Sequence, residues 1–192
     1  MNLNIPNLLT LFRIIAIPLI VIVYFSGVEY QNWYCWMLFA LAGLSDALDG
    51  YLARKWNQTS KLGAFLDPVA DKLLVAIMLI LVATNTELKQ AMYSEFWFTV
   101  TVMIIIGREI TVSALREWMA ELGKRANVAV STVGKYKTGI QMVAIGCLLF
   151  EQPLFGIPFL PLGEILLYIA GVLTVWSMSI YLNAAYRAVS SD

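Results

Sequence analysis

The 192-residue chain contains no histidine and only two cysteines. Without histidine, neither an imidazole-ligated zinc site nor a histidine general base is available. Cys35 and Cys147 are isolated within apolar runs, so we expect two reduced packing residues rather than a disulfide or a metal site. Charge is scarce too: 14% of residues are charged, and 13 basic residues balance 13 acidic ones. This balance gives no reason to expect a nucleic-acid partner.

Apolar residues are what the chain has in abundance, at 60% of the sequence. They are grouped into six runs, several of which approach the 20 or so residues that a helix needs to cross a hydrocarbon core. We therefore predict an all-α, polytopic membrane protein with six transmembrane helices, forming a single membrane domain over residues 1–192. The six runs are residues 5–25, 33–53, 72–84, 96–113, 136–150 and 162–184.

Two boundaries in this pattern need comment. The first run is interrupted by Arg13 and Pro18 and has no clear cleavage site, so we expect it to be a membrane helix rather than a signal peptide. The third run is short. Its helix can begin earlier, near Gly63, or Asp67 and Pro68 can form an N-cap and first turn. The sequence leaves both starts of the third helix open.

The basic residues predict the orientation of the spans. Of the 13 basic residues, 12 fall on one side of a six-span arrangement, and only Lys89 falls on the other. Because basic residues are retained on the cytoplasmic side of a membrane, this side is predicted to be cytoplasmic. Both chain termini are then inside, and the ends of the second and third spans open to the cytoplasm.

Four aspartates interrupt this apolar pattern, and we call them the aspartate cluster: Asp46, Asp49, Asp67 and Asp71. Their spacings of three and four residues put each pair on one face of a helix. An ionised carboxylate at membrane depth costs about 2.5–3.5 kcal/mol on insertion scales, so four cost on the order of 10 kcal/mol. Such a cluster requires cations or water to compensate its charge.

Carboxylates without histidine or thiolate partners form a hard oxygen site, which suits Mg²⁺, Mn²⁺ or Ca²⁺. Four of them can hold two divalent ions, a pair suited to a diphosphate. Gly50 leaves room for a ligand to approach the backbone, Gly63 leaves similar space, and Arg54 can bind a phosphate through two parallel hydrogen bonds. The alternative is an interfacial salt network of the aspartates with Arg54, Lys55 and Lys72.

The same stretch resembles the signature of the CDP-alcohol phosphotransferase family, D-x2-D-G-x2-A-R-x8-G-x3-D-x3-D, with every spacing kept. The resemblance implies a dimeric membrane enzyme with two divalent cations, Mg²⁺ or Mn²⁺, held among the four aspartates. It further implies that Asp71 is the general base and that the other three aspartates are primarily metal ligands. The remaining positions would line the pocket of the CDP group, with Ser60 near it: Gly50, Ala53, Arg54 and Gly63.

Other segments resemble the bacterial branch of this family that transfers a phosphatidyl group from CDP-diacylglycerol to glycerol 3-phosphate. They are IPNLLTLFRI near the N-terminus, residues 107–117 and residues 131–141. Asn7, Thr10 and Arg13 recur every three residues, so they can form a polar stripe beside the nucleotide or simply mark a polar helix entry. For the acceptor's phosphate, the candidate cations are Arg108, Arg116, Lys135 and Lys137, although the positive-inside pattern alone also accounts for basic residues there.

The implied reaction is direct displacement, in which Asp71 takes the proton of the acceptor hydroxyl, the alkoxide attacks the phosphatidyl phosphorus and CMP leaves. Other acceptors remain open, namely inositol phosphate, serine or phosphatidylglycerol. A divalent-cation transporter is the alternative from another class, although such a pathway gains nothing from Arg54. The expected partners are the two substrates, membrane lipid and a second copy of the chain.

Overall fold

The computed structural model describes residues 5–56, 61–123 and 132–190, and its regular elements there are all helices. This confirms the all-α prediction for the described residues. Each predicted run falls within one of six long helices, and a short helix, α4, lies in the predicted loop 85–95. The helices are α1 (Ile5–Phe25), α2 (Gln31–Lys55), α3 (Lys61–Thr84), α4 (Thr86–Gln90), α5 (Glu95–Glu121), α6 (Thr132–Phe150) and α7 (Phe159–Ser190).

Within the described residues, three helical segments have both the length and the apolar composition needed to cross a membrane. They are Asn7–Phe25, Glu95–Glu121 and Phe159–Ser190. A shorter apolar segment, Tyr136–Phe150, lies in α6. These segments support a membrane protein, whereas the count of six spans and the position of both termini stay predictions.

Helix α3 settles the open boundary of the third run. It begins at Lys61 and carries Pro68 in its interior, so the earlier start is right and the N-cap at Asp67 is wrong. Proline removes one hydrogen bond to the preceding turn, but the apolar residues that follow continue the helix. Asp67 and Asp71 therefore lie one turn apart on the same helical face.

The chain divides into two compact units, of which the first takes its residues from Met1–Asn85 and Ile145–Leu160. Here α1 buries a face repeating every three to four residues, which includes Ala16, Ile17 and Ile20, while Ile15 and Ile22 are exposed. At the end of α1, the Tyr24 hydroxyl accepts a hydrogen bond of 2.7 Å from Asn85 Nδ2. The apolar face thus fixes which way α1 is rotated in this unit.

An aromatic group packs around Phe150 in the first unit. The Phe150 ring meets Trp33 and Trp36 of α2 at centroid distances of 4.7 and 6.0 Å, in edge-to-face geometry. Phe159 contacts the same Phe150 ring at 5.1 Å. Edge-to-face aromatic pairs stabilise such contacts by about 0.5–1.5 kcal/mol beyond the burial of their area.

The second unit comprises Thr86–Ala144 and Pro161–Asp192. Its helix α5 begins at an N-cap, Ser94, whose hydroxyl accepts from Trp97 N. The buried carboxylate of Glu164 on α7 accepts from the backbone N–H groups of Tyr93 (2.9 Å) and Ser94 (3.4 Å), and from the Tyr168 hydroxyl (2.5 Å). This carboxylate compensates N–H groups that the helix leaves unpaired at its start.

Further along, α5 and α7 approach each other closely. A Cβ placed on Gly171 would lie only 2.7 Å from Thr101 Cγ2. Glycine at this position therefore permits a helix contact that no larger residue allows without displacement, as is common for small residues between membrane helices. The contact fixes the register of α5 against α7 within the second unit.

Candidate active site

The aspartate cluster of the first unit is assembled from α2 and α3. Asp46 and Asp49 lie in the second half of α2, and Asp67 and Asp71 lie in α3. Asp49 is buried, with 5% of its side chain exposed, whereas about half of the Asp46 and Asp71 side chains is exposed. The cluster therefore has a buried member and two members open to solvent or to a ligand.

Helix α1 supplies the groups that connect these carboxylates. Asn7, Thr10 and Arg13 are all buried, so the three-residue repeat does form a polar stripe on the inward face of α1. Thr10 Oγ1 donates to Asp67 Oδ1 at 2.7 Å and lies 3.4 Å from Asp49 Oδ2. Thr10 thus joins one carboxylate of α2 to one of α3.

Arg13 is the cation at the centre of this arrangement, and its side chain is fully buried. Its Nη2 lies 2.6 Å from Asp49 Oδ2 and 3.0 Å from Asp46 Oδ1, while its Nη1 pairs with Asp71 Oδ1. The salt network considered above named Arg54, Lys55 and Lys72 as partners. The sequence interpretation named Arg13 in the three-residue repeat of α1 but did not predict that it pairs with the aspartates.

The fit of a divalent cation rests here on the chemistry of the donors. Among the described residues, no three acidic or sulfur side chains enclose a common metal position. Three carboxylates nevertheless converge on one positive group, Arg13, and each of them offers only oxygen donors. Four carboxylates also exceed the single charge of Arg13. Such an oxygen-only set suits Mg²⁺ or Mn²⁺.

Some predicted donor-site residues lie outside what the structure describes. Ser60 falls in an undescribed segment. Of Gly50, Ala53 and Arg54, the structure describes only the backbone, which belongs to α2. Gly63 is described and is buried in α3. The roles assigned to these five residues stay predictions.

The second unit contains three basic side chains together with the acidic and hydroxyl groups that bond to them. We call this set the cationic cluster: Arg108, Glu109 and Arg116 of α5, Lys137 of α6, and Ser177 and Tyr181 of α7. It brings together three of the four cations predicted for the acceptor. The side chain of the fourth, Lys135, is outside the described residues. The sequence interpretation missed Glu109, Ser177 and Tyr181, the last two of which lie in an apolar run.

One carboxylate oxygen connects two of these cations. Arg108 Nη1 lies 3.2 Å from Glu109 Oε1, and Lys137 Nζ donates to the same oxygen. Arg108 Nη2 also donates to Ser177 Oγ at 3.1 Å. Arg108 and Lys137 are 9% and 2% exposed, so both positive charges are held away from bulk water.

Tyr181 holds the two arginines on α5. The Arg108 and Arg116 guanidinium carbons lie 5.6 and 5.0 Å from the centre of its buried ring, within the range of cation–π attraction. Arg116 Nη2 donates to the Tyr181 hydroxyl at 2.8 Å. The Nε atoms of Arg108 and Arg116 are buried without a hydrogen-bond partner. Unpaired buried donors of this kind favour the binding of an anion.

The chain is similar to known proteins over nearly its whole length. Residues 3–176 match the family model described as CDP-alcohol phosphatidyltransferase. A CDP-diacylglycerol–glycerol-3-phosphate 3-phosphatidyltransferase of Escherichia coli (strain K12) is 49% identical over 185 residues, covering 96% of both chains. Relatives with the same name in Shigella flexneri serotype 5b (strain 8401) and Shigella boydii serotype 4 (strain Sb227) have the same identity and coverage. The chain belongs to the CDP-alcohol phosphatidyltransferase family.

Proposed function

We propose that the protein transfers the phosphatidyl group of CDP-diacylglycerol to glycerol 3-phosphate, giving phosphatidylglycerophosphate and CMP. The observation that carries the proposal is 49% identity over 96% of the chain to relatives that bear the name of this reaction. The two charged clusters supply the chemistry that such a reaction needs. The aspartate cluster serves the donor's diphosphate, and the cationic cluster serves the acceptor's phosphate.

The donor is assigned to the first unit. Two divalent cations held by Asp46, Asp49, Asp67 and Asp71 would neutralise the diphosphate of CDP-diacylglycerol. Asn7 and Thr10 belong to the same buried polar stripe of α1 as Arg13, and we assign them to the binding of CDP-diacylglycerol. The predicted contacts of Gly50, Ala53, Arg54, Ser60 and Gly63 with the CDP group complete this assignment.

Asp71 is assigned as the general base. About half of its side chain is exposed, so an acceptor hydroxyl can reach the carboxylate. Asp71 takes the proton of the 1-hydroxyl of glycerol 3-phosphate, and the resulting alkoxide forms a new bond to the phosphatidyl phosphorus. The bond from that phosphorus to the CMP oxygen breaks. Positioning of the reacting groups supplies much of the rate in such a displacement.

The acceptor is assigned to the second unit. A phosphate monoester carries a charge of about −1.5 to −2 at neutral pH, and Arg108, Arg116 and Lys137 are the described cations gathered to receive it, with Lys135 as the predicted fourth. The acyl chains of the donor remain in the lipid. We further propose that the enzyme is a homodimer in a bacterial cell membrane, with its active site facing the cytoplasm.

The assignment of the acceptor is tested with a panel of alcohols. Purified protein receives CDP-diacylglycerol with glycerol 3-phosphate, inositol phosphate, serine, phosphatidylglycerol or glycerol, and CMP release is followed. We expect efficient release only with glycerol 3-phosphate. Uncharged glycerol leaves the buried cations unpaired and should be a poor substrate. Good turnover with serine or inositol phosphate would instead assign the protein to another branch of the family.

Replacing Lys137 with alanine should weaken use of the acceptor far more than use of the donor. A charge-assisted contact to phosphate contributes about 1.5–3 kcal/mol, and about 1.4 kcal/mol corresponds to a factor of ten. We therefore expect the KM for glycerol 3-phosphate to rise roughly tenfold or more, with Lys135→Ala acting in the same direction. The measurement is steady-state kinetics with each substrate varied separately.

The matched control is Lys89→Ala in the same unit. Lys89 pairs with the exposed Glu95 at 2.8 Å, and an exposed pair contributes little. Lys89→Ala should leave both KM values near those of the wild type. Equal changes in the two KM values for Lys137→Ala would contradict the assignment of the cationic cluster to the acceptor.

A further inference from the structure

Glu109 is the one acidic member of the cationic cluster, and the proposed transfer reaction gives it no task. Its contacts extend beyond its neighbour in the sequence, because it bonds both to Arg108 on α5 and to Lys137 on α6. Both contacts are made by a single oxygen, Oε1. This carboxylate therefore fills the place where two buried cations can both reach an anion.

The burial of the two cations makes this pairing necessary. Lys137 is 2% exposed and Arg108 is 9% exposed, and a buried charge without a partner is strongly unfavourable. The Glu109 side chain is itself 19% exposed, so it has a path by which it can turn away from the cations. An incoming phosphate can take its place only if it compensates both cations at least as well.

The exchange favours doubly charged ligands. Glu109 is part of α5 and loses no translational entropy when it pairs, whereas a free anion loses its translational entropy when it binds. A singly charged anion would merely replace one negative charge by another and still bear this cost. A phosphate monoester brings a second charge, for which the unpaired Nε atoms of Arg108 and Arg116 provide donors.

We propose that Glu109 is an internal anion that competes with the acceptor's phosphate for Arg108 and Lys137, and so lowers the affinity of the acceptor site for every anion that must displace it. The inference rests on the proposed function, because it takes the cationic cluster to be the acceptor site. Glu109 acts through Arg108 and Lys137 and takes no part in bond making. Its removal should therefore strengthen anion binding, opposite in sign to the loss of a ligand-binding residue.

The test uses the full-length enzyme with Glu109→Gln, which keeps the side chain's volume but removes its charge. Two ligands are compared, glycerol 3-phosphate and its methyl ester, which carries a single negative charge. We expect the variant to bind both ligands more tightly by about tenfold, the effect of one charge-assisted contact, because the cost of displacing Glu109 is the same for each of them. Inhibition of CMP release reports the affinity for the methyl ester.

Two further variants make the result specific. Glu117→Gln changes an exposed carboxylate on the same helix and should leave both affinities unchanged. Glu109→Asp keeps the charge and should bind both ligands nearly as the wild type does. Unchanged affinities in Glu109→Gln, or a raised KM for glycerol 3-phosphate, would overturn the inference, and so would a lowered melting temperature as its only effect.

Calorimetry with inorganic phosphate alone separates this inference from the proposed reaction. Tighter phosphate binding by Glu109→Gln would support Glu109 as the internal anion even if the wild type failed to use glycerol 3-phosphate. In that case the proposed function would fail, and the competition of Glu109 with a bound phosphate would stand by itself. Normal turnover of glycerol 3-phosphate by the wild type, with unchanged phosphate binding in Glu109→Gln, would overturn this competition alone.

Discussion

Replacing Asp71 with asparagine should reduce turnover by at least about a hundredfold, the lower range for loss of a general base. The amide has nearly the same volume and can still accept a hydrogen bond from Arg13. It cannot take the acceptor's proton at neutral pH. Because Arg13 also pairs with Asp46 and Asp49, we expect the first unit to remain folded.

The measurements are CMP release at saturating substrates, binding of CDP-diacylglycerol and the melting temperature in detergent. Donor binding and the melting temperature should stay close to those of the wild type while CMP release is lost. Retention of more than a small fraction of wild-type turnover would show that Asp71 is not the base. A parallel loss of donor binding would instead place Asp71 among the groups that hold the donor.

Removing divalent cations should also abolish turnover, and added Mg²⁺ or Mn²⁺ should restore it. Arg13 compensates only one of the four negative charges of the aspartate cluster, so a diphosphate brought against it would meet strong repulsion. We expect Asp46→Ala, Asp49→Ala and Asp67→Ala each to lose activity together with its dependence on metal concentration. The measurement is CMP release after treatment with a chelator and after stepwise addition of the metal.

The melting temperature of the chelator-treated protein provides the control. Since Arg13 pairs with three of the aspartates, the protein should remain folded without metal, and lost activity then reports on chemistry rather than unfolding. Undiminished turnover in a metal-free preparation would remove divalent cations from the proposed mechanism.

Much of the fold was predictable from local patterns. The apolar runs predicted six long helices, and the first run has the same bounds as α1. The spacing of the four aspartates correctly placed each pair on one helical face. Pro68 misled one of the two interpretations of α3, because a proline that often begins a helix lies here inside one. Residues that follow a proline decide whether the helix continues, and those in α3 are strongly apolar.

The pairing of charges was much less predictable, since it depends on residues far apart in the sequence. Arg13 meets Asp49 and Asp71, which lie 36 and 58 positions further along. A polar repeat on α1 shows that one face differs from the others, but not which helices pack against it. Glu109 was overlooked for the same reason, because its second cation, Lys137, is 28 residues away.

The position of Arg13 near the start of the chain also affects how the protein is made. A ribosome adds about 5–20 residues per second, so α1 is complete before Asp46 has been synthesised. Arg13 thus reaches the bilayer with α1 before the acidic residues that it will neutralise. Charged residues enter a membrane at lower cost when a partner or water is at hand. During biosynthesis, Arg13 can therefore compensate part of the negative charge of α2 and α3 before any metal ion binds.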